Sequence, residues 1–382
     1  MRQYVVIEHT LHEQAPTGPT VAGITDLEKL FTVLPRDTAM RVFVSATDAL
    51  PVLDGLPTTG SVESLNWGTI SRRPTANGNI AVILTVYKRC HMLDQQITSI
   101  KSSLMSSSAW DFLAREGYPV PATRRNYTVT QIFVVRNGNH CDPAPALAGH
   151  PDVHVIASLT WNTAFFGRYL PSLMLDEQFS LVLDDDLILE KYALLNLMRA
   201  MALHGEHAVV GAGGKRIVIK RGADPTLPDD KDIQAQNVEC SCHDPRTRDS
   251  LVDYVTNAYL FPTVFARVLF GPGAWTQTLE NSDDMTMGMI ARRYLGAPSV
   301  CALHHPEACV VNYGADSVAT SSSSTHWLVR RSTLAYWYSR GYRGVCPYGG
   351  ADSGQTPSDA NAADVESRCL PVETPHLVAS TA

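Results

Sequence analysis

Four short runs of apolar residues, rich in β-branched side chains and each stopping at a polar cluster, constrain this chain more than any other feature. Residues 79–87 are nearly continuously apolar and lead into Lys88-Arg89. That is the pattern of a strand buried on both faces, since a half-solvated strand alternates. Residues 129–135 end at Arg136-Asn137-Gly138-Asn139, residues 153–156 form a shorter third run, and residues 179–183 stop at Asp184-Asp185-Asp186. Leu93, Ile97, Ile100 and Leu104 recur at helical spacing after the first run, and Leu194, Leu197 and Met201 do so after the fourth, ahead of the strand-like residues 208–211. Strands alternating with helices predict βαβ units, right-handed crossovers and an open, mostly parallel α/β sheet. Ligands of such sheets lie beyond the carboxyl ends of the strands. There the chain sets Tyr87-Lys88-Arg89, Arg136-Asn137 and the three aspartates.

Composition narrows the function classes. With 382 residues, 45% hydrophobic and 18% charged, the chain can bury a sizeable core, and whole-chain disorder is excluded. Its 31 Lys and Arg against 38 Asp and Glu give a net charge of −7, so the attraction that dominates nucleic-acid affinity is missing and no nucleic-acid partner is expected. No apolar run approaches the roughly 18–20 residues that span a bilayer, and Val5-Val6-Ile7-Glu8 is not a signal-peptide core. The sequence therefore reads as soluble, acting in a cytoplasm, or in the secretory lumen if an anchor lies outside it. Residues 1–75, with recurring Pro and Gly and one strand-like run at 40–44, read as an N-terminal accessory segment of unassigned role. Residues 76–345 read as the α/β domain, and the Gly/Ser/Ala/Asp/Pro-rich residues 346–382 as a flexible tail. Eight cysteines are too thinly spread for a disulfide scaffold. Cys240-Ser241-Cys242-His243 offers soft metal ligands but has no second pair at finger-like spacing.

Three consecutive carboxylates after an apolar strand repel one another and require compensating positive charge or solvent. A divalent cation would supply it, and oxygen-only ligands suit Mg²⁺ or Mn²⁺; an acidic surface loop is the plainer reading. A second cluster, Glu280-Asn281-Ser282-Asp283-Asp284, precedes a pattern in which Met287, Ile290 and Tyr294 share a helix face. Its Asp or Ser either caps that helix or supplies a base or acceptor for a substrate hydroxyl. Between the clusters, residues 253–261 are strand-like and end in aromatics, equally suited to core or pocket wall. Gly211-Ala212-Gly213-Gly214-Lys215-Arg216 fails the phosphate-loop spacing and reads as a turn. No dinucleotide fingerprint follows the first strand, and Gly-x-Ser-x-Gly is absent. Residues 325–337 read as an amphipathic helix aligning Trp327, Leu334 and Trp337; its Arg330-Arg331 pair suits either a solvated face or an anionic leaving group such as a diphosphate.

Residues 182–188 (around Asp184-Asp185-Asp186), Asn281-Ser282-Asp283-Asp284-Met285-Thr286-Met287 followed by Gly296-Ala297-Pro298-Ser299, and Arg331-Ser332 together resemble the exostosin-like glycosyltransferases. The resemblance covers roughly residues 78–340 and implies a GT-A fold and metal-dependent transfer of a sugar from a UDP-sugar donor to a glycan acceptor, with retention of configuration. It implies that Asp186 binds Mn²⁺ or Mg²⁺ and that Asp184 and Asp185 meet ribose and sugar. Tyr87, Arg89, Asn137, Asn162 and Arg168 fall where the family holds the nucleotide sugar. Asp284 matches its catalytic-site Asp and Arg331 its late Arg near the diphosphate. Two stretches depart from the family: its Trp-Asn-Asn is Arg136-Asn137-Gly138 here, and its lysine-containing segment is Thr163-Ala164-Phe165-Phe166. Two alternatives stay open: an inverting transferase with Asp283 or Asp284 as general base, and a non-catalytic nucleotide-sugar-binding module.

Overall fold

The computed structural model describes residues 4–6, 40–41, 76–137, 140–158, 165–219, 233–238, 242, 248–269, 282–313, 324–339 and 342. Asn162, Asn281, the 346–382 tail and most of the first 75 residues lie outside them.

In chain order the strands are β1 (Tyr4–Val6), β2 (Met40–Arg41), β3 (Ala76–Val86), β4 (Thr128–Asn137), β5 (His154–Ser158), β6 (Glu177–Leu183), β7 (Leu187–Leu189), β8 (Val209–Ile219), β9 (Ile233–Val238), β10 (Ser250–Val252), β11 (Tyr254–Pro262), β12 (Ser299–Cys301) and β13 (Val310–Asn312). The helices are α1 (Leu93–Ser102), α2 (Ser107–Arg115), α3 (Ala193–His204), α4 (Phe265–Leu269), α5 (Asp283–Leu295) and α6 (Ser324–Ser339), with 3₁₀ turns at Cys90–Met92 and Phe166–Met174. One large sheet runs β10-β12-β8-β11-β6-β3-β4-β5-β1-β2, with β9 also paired to β8, and β7 and β13 form a separate ribbon. Most of its pairings are parallel, those of β3 with β4 and β6 and of β4 with β5 among them, while β11 runs antiparallel between β6 and β8. Two short strands from the first 75 residues, β1 and β2, extend the β5 edge.

The apolar runs form the centre because both faces of the sheet are covered. Ile80 through Leu84 of β3 have no accessible surface, and each large side chain so buried contributes roughly 1.5–3 kcal/mol. On one face Ile80, Val82 and Leu84 pack with Leu93, Ile97 and Ile100 of α1 and Trp110 and Leu113 of α2. On the other, Ala81 and Ile83 pack with Tyr169 and Leu170 of the second 3₁₀ turn and with Met285, Met287 and Ile290 of α5. The β3-to-β4 and β5-to-β6 connections thus cover opposite faces, and the strand order reverses between β3 and β6. That reversal is the crevice where an open α/β sheet takes its ligand. The register pairs Leu84 with Leu183 and Val86 with Arg136, so residues following β3, β4 and β6 all emerge at one edge.

Two sequence expectations are corrected. The glycine run at 211–214 is strand rather than turn: it lies inside β8, against β11 and β12. Cysteines do staple the chain, through Cys90–Cys141 and Cys242–Cys309; Cys301 is also disulfide-bonded, and no described cysteine is free. Cys242 is thereby removed as a metal ligand. Wide spacing misled because a disulfide needs spatial proximity, and long closed loops give it the largest entropic gain.

Candidate active site

The acidic triplet is a tight turn at the carboxyl end of β6, closed by the Leu187 N–H donating to the Asp184 carbonyl at 3.3 Å. A buried amide props it from below: Gln96 Nε2 of α1 donates to the carbonyls of Asp184 (2.8 Å) and Leu187 (2.9 Å). Tyr313 N–H donates to the Asp186 carbonyl at 2.9 Å. The aspartates are therefore fixed through their backbone, leaving their carboxylates to be directed by neighbours.

Those neighbours are arginines. Arg89, just beyond β3, has Nη1 at 2.6 Å from Asp185 and 3.4 Å from Asp186. Lys88 N–H also donates to Asp185 Oδ2 at 3.3 Å. The Arg89 loop is tied down by the Cys90–Cys141 disulfide and by the Tyr87 ring edge-on to His140 at 4.2 Å. Arg168, buried in the second 3₁₀ turn, pairs with Asp184 and sets its Nε 3.1 Å from Asp283 Oδ2. Tyr169 O–H donates to that same oxygen at 3.0 Å. Arg168 thus joins the two acidic clusters, which are about a hundred residues apart in the chain. Arg89 and Arg168, two guanidiniums of the chain itself, thus offset part of the triplet's repulsion.

Helix α5 carries the second cluster. It presses on the start of β11 at Gly288, where a Cβ would lie 2.6 Å from the Asp253 carbonyl oxygen. Asp283 and Asp284 occupy its first turn, where the helix dipole favours negative charge. Ser282 precedes them with φ 70° and makes no side-chain cap bond; both aspartates are turned to arginines instead. Asp284 accepts from Arg330 Nη2 at 2.6 Å and from the Met285 N–H at 2.7 Å.

The guanidinium on Asp284 is Arg330, not Arg331. Arg330, Leu334, Trp337 and Tyr338 of α6 are all buried, a helical i, i+4, i+7, i+8 phase that carries Arg330 inward, whereas Arg331 sits about 100° further round and is half-buried. Tyr342 O–H, donating at 2.7 Å to buried Asp253, anchors the end of that segment on the sheet. The Tyr254 ring lies under Arg330 (5.3 Å), and the Tyr259 ring lies beside Arg168 (5.2 Å). Sequence reasoning did not single out Gln96 or Tyr169, left Tyr254 and Tyr259 open between core and pocket wall, and named Arg330 only as one of a pair with Arg331. Gln96 and Arg330 had a signal, since each is a polar residue in phase with an apolar helix face; Tyr169 carried none.

Five carboxylates meet three guanidiniums here, with half-buried Lys215 of β8 near Asp284. Burial pushes the Asp184 and Asp283 carboxyls above the usual range; neighbouring carboxylates add to this, while Arg168 pulls them back. Burial and Arg330 lower the Lys215 ammonium. Of the three described non-glycine residues with left-handed backbone, Ser282 directly precedes Asp283, and Asn257 and Ala258 directly precede Tyr259, whose ring lies beside Arg168; strained residues tend to gather at functional sites. Asn137 closes β4. Among the described residues no group of three His, Cys, Asp or Glu side chains is arranged to hold a metal by itself. A groove of about 680 Å³ between α1 and β4, lined by Lys101, Asn126, Gln131 and Asp152, contains none of these arginines or aspartates.

No family model matches the chain, and no curated protein matches it. A solved structure it resembles is that of S. aureus TarS, at 12% identity and a TM-score of 0.34, covering 61% of this chain and 36% of that one. The chain so spans little more than a third of that protein's length, and a likeness this distant assigns no activity.

Proposed function

We propose that this chain is a glycosyltransferase that moves a sugar from a UDP-sugar donor to a hydroxyl of a glycan acceptor, with retention of configuration. The observation that carries the reading is Arg168 bridging Asp184 and Asp283, because it gathers both acidic motifs of the exostosin-like resemblance around one crevice at the strand-order reversal. Arg89, Asp184 and Asp185 then line the nucleotide-sugar side, with Tyr87, Asn137 and Asn162 assigned there by the resemblance alone. Asp284 and Arg330 line the reacting side.

Mg²⁺ or Mn²⁺ fits the donor set: such ions are commonly held by one or two carboxylates, with waters and substrate phosphates completing the shell. Asp186, with Asp185 beside it, would hold the ion, which when bound supplies neutralisation of charge on the leaving diphosphate. Arg89, shared between Asp185 and Asp186, offsets their mutual repulsion, and Gln96 keeps their turn rigid. Arg330 takes the diphosphate-facing role that the resemblance gave to Arg331. Asp284 has one oxygen on a backbone N–H and the other on a guanidinium, which makes it a fixed negative charge rather than a mobile base. A fixed carboxylate suits stabilisation of an oxocarbenium-like centre, so retention is favoured over an inverting route through Asp283 or Asp284. No described helix is long and apolar enough to cross a membrane. The disulfides favour an oxidising compartment such as the secretory lumen over a cytoplasm.

The test is a panel of UDP-sugars assayed for UDP release with and without Mn²⁺, followed by NMR of the product anomer. Metal-dependent release from at least one donor, with the anomer retained, is the expected result. Tight UDP binding with no release from any donor would establish the non-catalytic module instead, and an inverted product would favour the route with Asp283 or Asp284 as base.

A further inference from the structure

Strand β11 loses step with its neighbour in the middle of the sheet. It pairs with β8 as Tyr254↔Lys215, Val255↔Gly214 and Thr256↔Gly213, then jumps to Tyr259↔Gly211, so one extra residue is inserted on β11. Asn257 (φ 54°) and Ala258 (φ 60°) hold left-handed backbone at the break, a region disfavoured for residues with a Cβ and least so for Asn. Exposure breaks at the same place. Tyr254, Val255, Ala258 and Tyr259 are buried, while Thr256 and Asn257 between them are only half-buried. A central strand shows polar side chains to solvent only where a cleft opens over it.

Thr256 and Asn257 lie between the two arginine pairs. Tyr254 lies under Arg330 and Tyr259 beside Arg168, so Thr256 and Asn257 fall between the Asp284 pair and the Asp184–Asp283 bridge. Opposite them β8 offers no side chain: a Cβ on Gly213 would meet Thr256 Oγ1 at 2.7 Å and Asn257 Nδ2 at 3.5 Å. Buried acids and guanidiniums flank these two side chains, and between the buried rings of Tyr254 and Tyr259 they are the half-buried uncharged hydrogen-bonding groups of β11.

We propose that Thr256 and Asn257 form the sugar-reading floor of the cleft, with the Asn257 amide donating to and accepting from hydroxyls of the transferred sugar. This rests on the glycosyltransfer reading above and adds to it the residue that sets donor-sugar preference. An amide carries both a donor and an acceptor, which matches a hydroxyl's dual character. A polar group so placed rejects the epimer that leaves it unpaired.

Asn257→Gly removes the amide while easing the left-handed backbone, and is compared with the unaltered chain by calorimetry and donor hydrolysis in Mn²⁺. The probes are UDP, UDP-glucose, UDP-galactose, UDP-N-acetylglucosamine and UDP-N-acetylgalactosamine. Expected is UDP affinity held within about twofold, while the preference between the best donor and its 4-epimer falls about tenfold, the scale of one lost hydrogen bond. An unchanged epimer preference with UDP-sugar binding intact overturns this inference and leaves the function standing. Failure of the unaltered chain to bind any UDP-sugar overturns both. Should Asn257→Gly melt below the assay temperature, Asn257→Asp, which tolerates the same backbone and removes the amide donor, carries the same two outcomes.

Discussion

Two buried arginine–aspartate assemblies in this molecule have opposite electrostatics. In the first, Arg199 of α3 pairs with both oxygens of Asp249, whose Oδ2 also meets His204 Nε2 at 3.0 Å and whose Oδ1 accepts the Leu303 N–H at 2.9 Å. Asn196 continues the network, accepting from Arg199 Nε at 2.8 Å and donating to the carbonyls of Leu303 and Ala308. Burial works against the Asp249 charge, but the His204 hydrogen bond, the Arg199 charge and the backbone N–H outweigh it and bring the carboxyl down to about 2. In the second assembly, carboxylates outnumber the guanidiniums that hold them, and burial pushes Asp184 and Asp283 up. The first is built so that its charge belongs there and ties α3 to β10 and to the segment after β12. The second concentrates charge that its own partners only partly offset, the pattern that the proposed function calls for in a site taking a charged ligand.

The largest effect expected from that contrast is at Asp284. Asp284→Asn keeps the size of the side chain and removes the fixed charge, so turnover falls about a thousandfold while UDP affinity stays within a few-fold. UDP release and UDP calorimetry on the same preparation check this, and full activity in the variant would mean the reacting centre lies elsewhere. At the other assembly the loss is in folding. Asp249→Asn leaves Arg199 with an uncompensated buried charge and lowers unfolding free energy by about 3 kcal/mol in a urea titration, without changing the sugar preference of the remaining folded protein. The pH dependence carries the same sign: Asp249 has its folded pKa below its unfolded one, so its contribution of about 2.5 kcal/mol is present above pH ~4 and is lost as pH falls toward 2. An acid transition unchanged by Asp249→Asn would show that this knot contributes nothing.

The next effect is about tenfold and separates adjacent residues. Arg330→Lys keeps the charge but loses the planar fork that meets Asp284, so kcat falls about tenfold. Arg331→Lys changes kcat by less than about twofold, since an exposed or half-exposed charge is worth little. A larger loss at Arg331 than at Arg330 would support the diphosphate role that the resemblance gives to Arg331.

That pair also shows what the sequence made legible. The buried strands, their direction and the edge at which Arg89, Arg136 and the triplet emerge followed from apolar runs and from where each run stops, because burial on both faces leaves a local signature. Asp184 and Asp283 were singled out, but nothing local says that one arginine at position 168 joins them: that contact depends on the crossover from β5 to β6. Arg330 was legible in principle as the guanidinium that meets Asp284, since its helical phase with Leu334 and Trp337 is a local property; the resemblance pointed to its neighbour Arg331. The left-handed bulge in β11 and the disulfides were not legible, as each is fixed by partners far along the chain. The glycines of β8 misread as a turn for the same reason, being required by the strand they face rather than by their own backbone.

The smallest expected effect is the one that most directly tests the contrast between the assemblies. Asp184 has its folded pKa above its unfolded value, so its ionised form is the one the fold disfavours: the burden is absent at low pH and is felt as pH rises through the raised folded pKa. Asp184→Asn, measured by urea unfolding at neutral pH, therefore costs no stability and gains up to about 1 kcal/mol, while donor turnover collapses. Arg168 keeps Asp283 and the Phe165 carbonyl as partners in the variant, so no guanidinium is stranded. A stability loss as large as that of Asp249→Asn would show that both assemblies are structural knots, and the acidic crevice would then need no ligand to explain it.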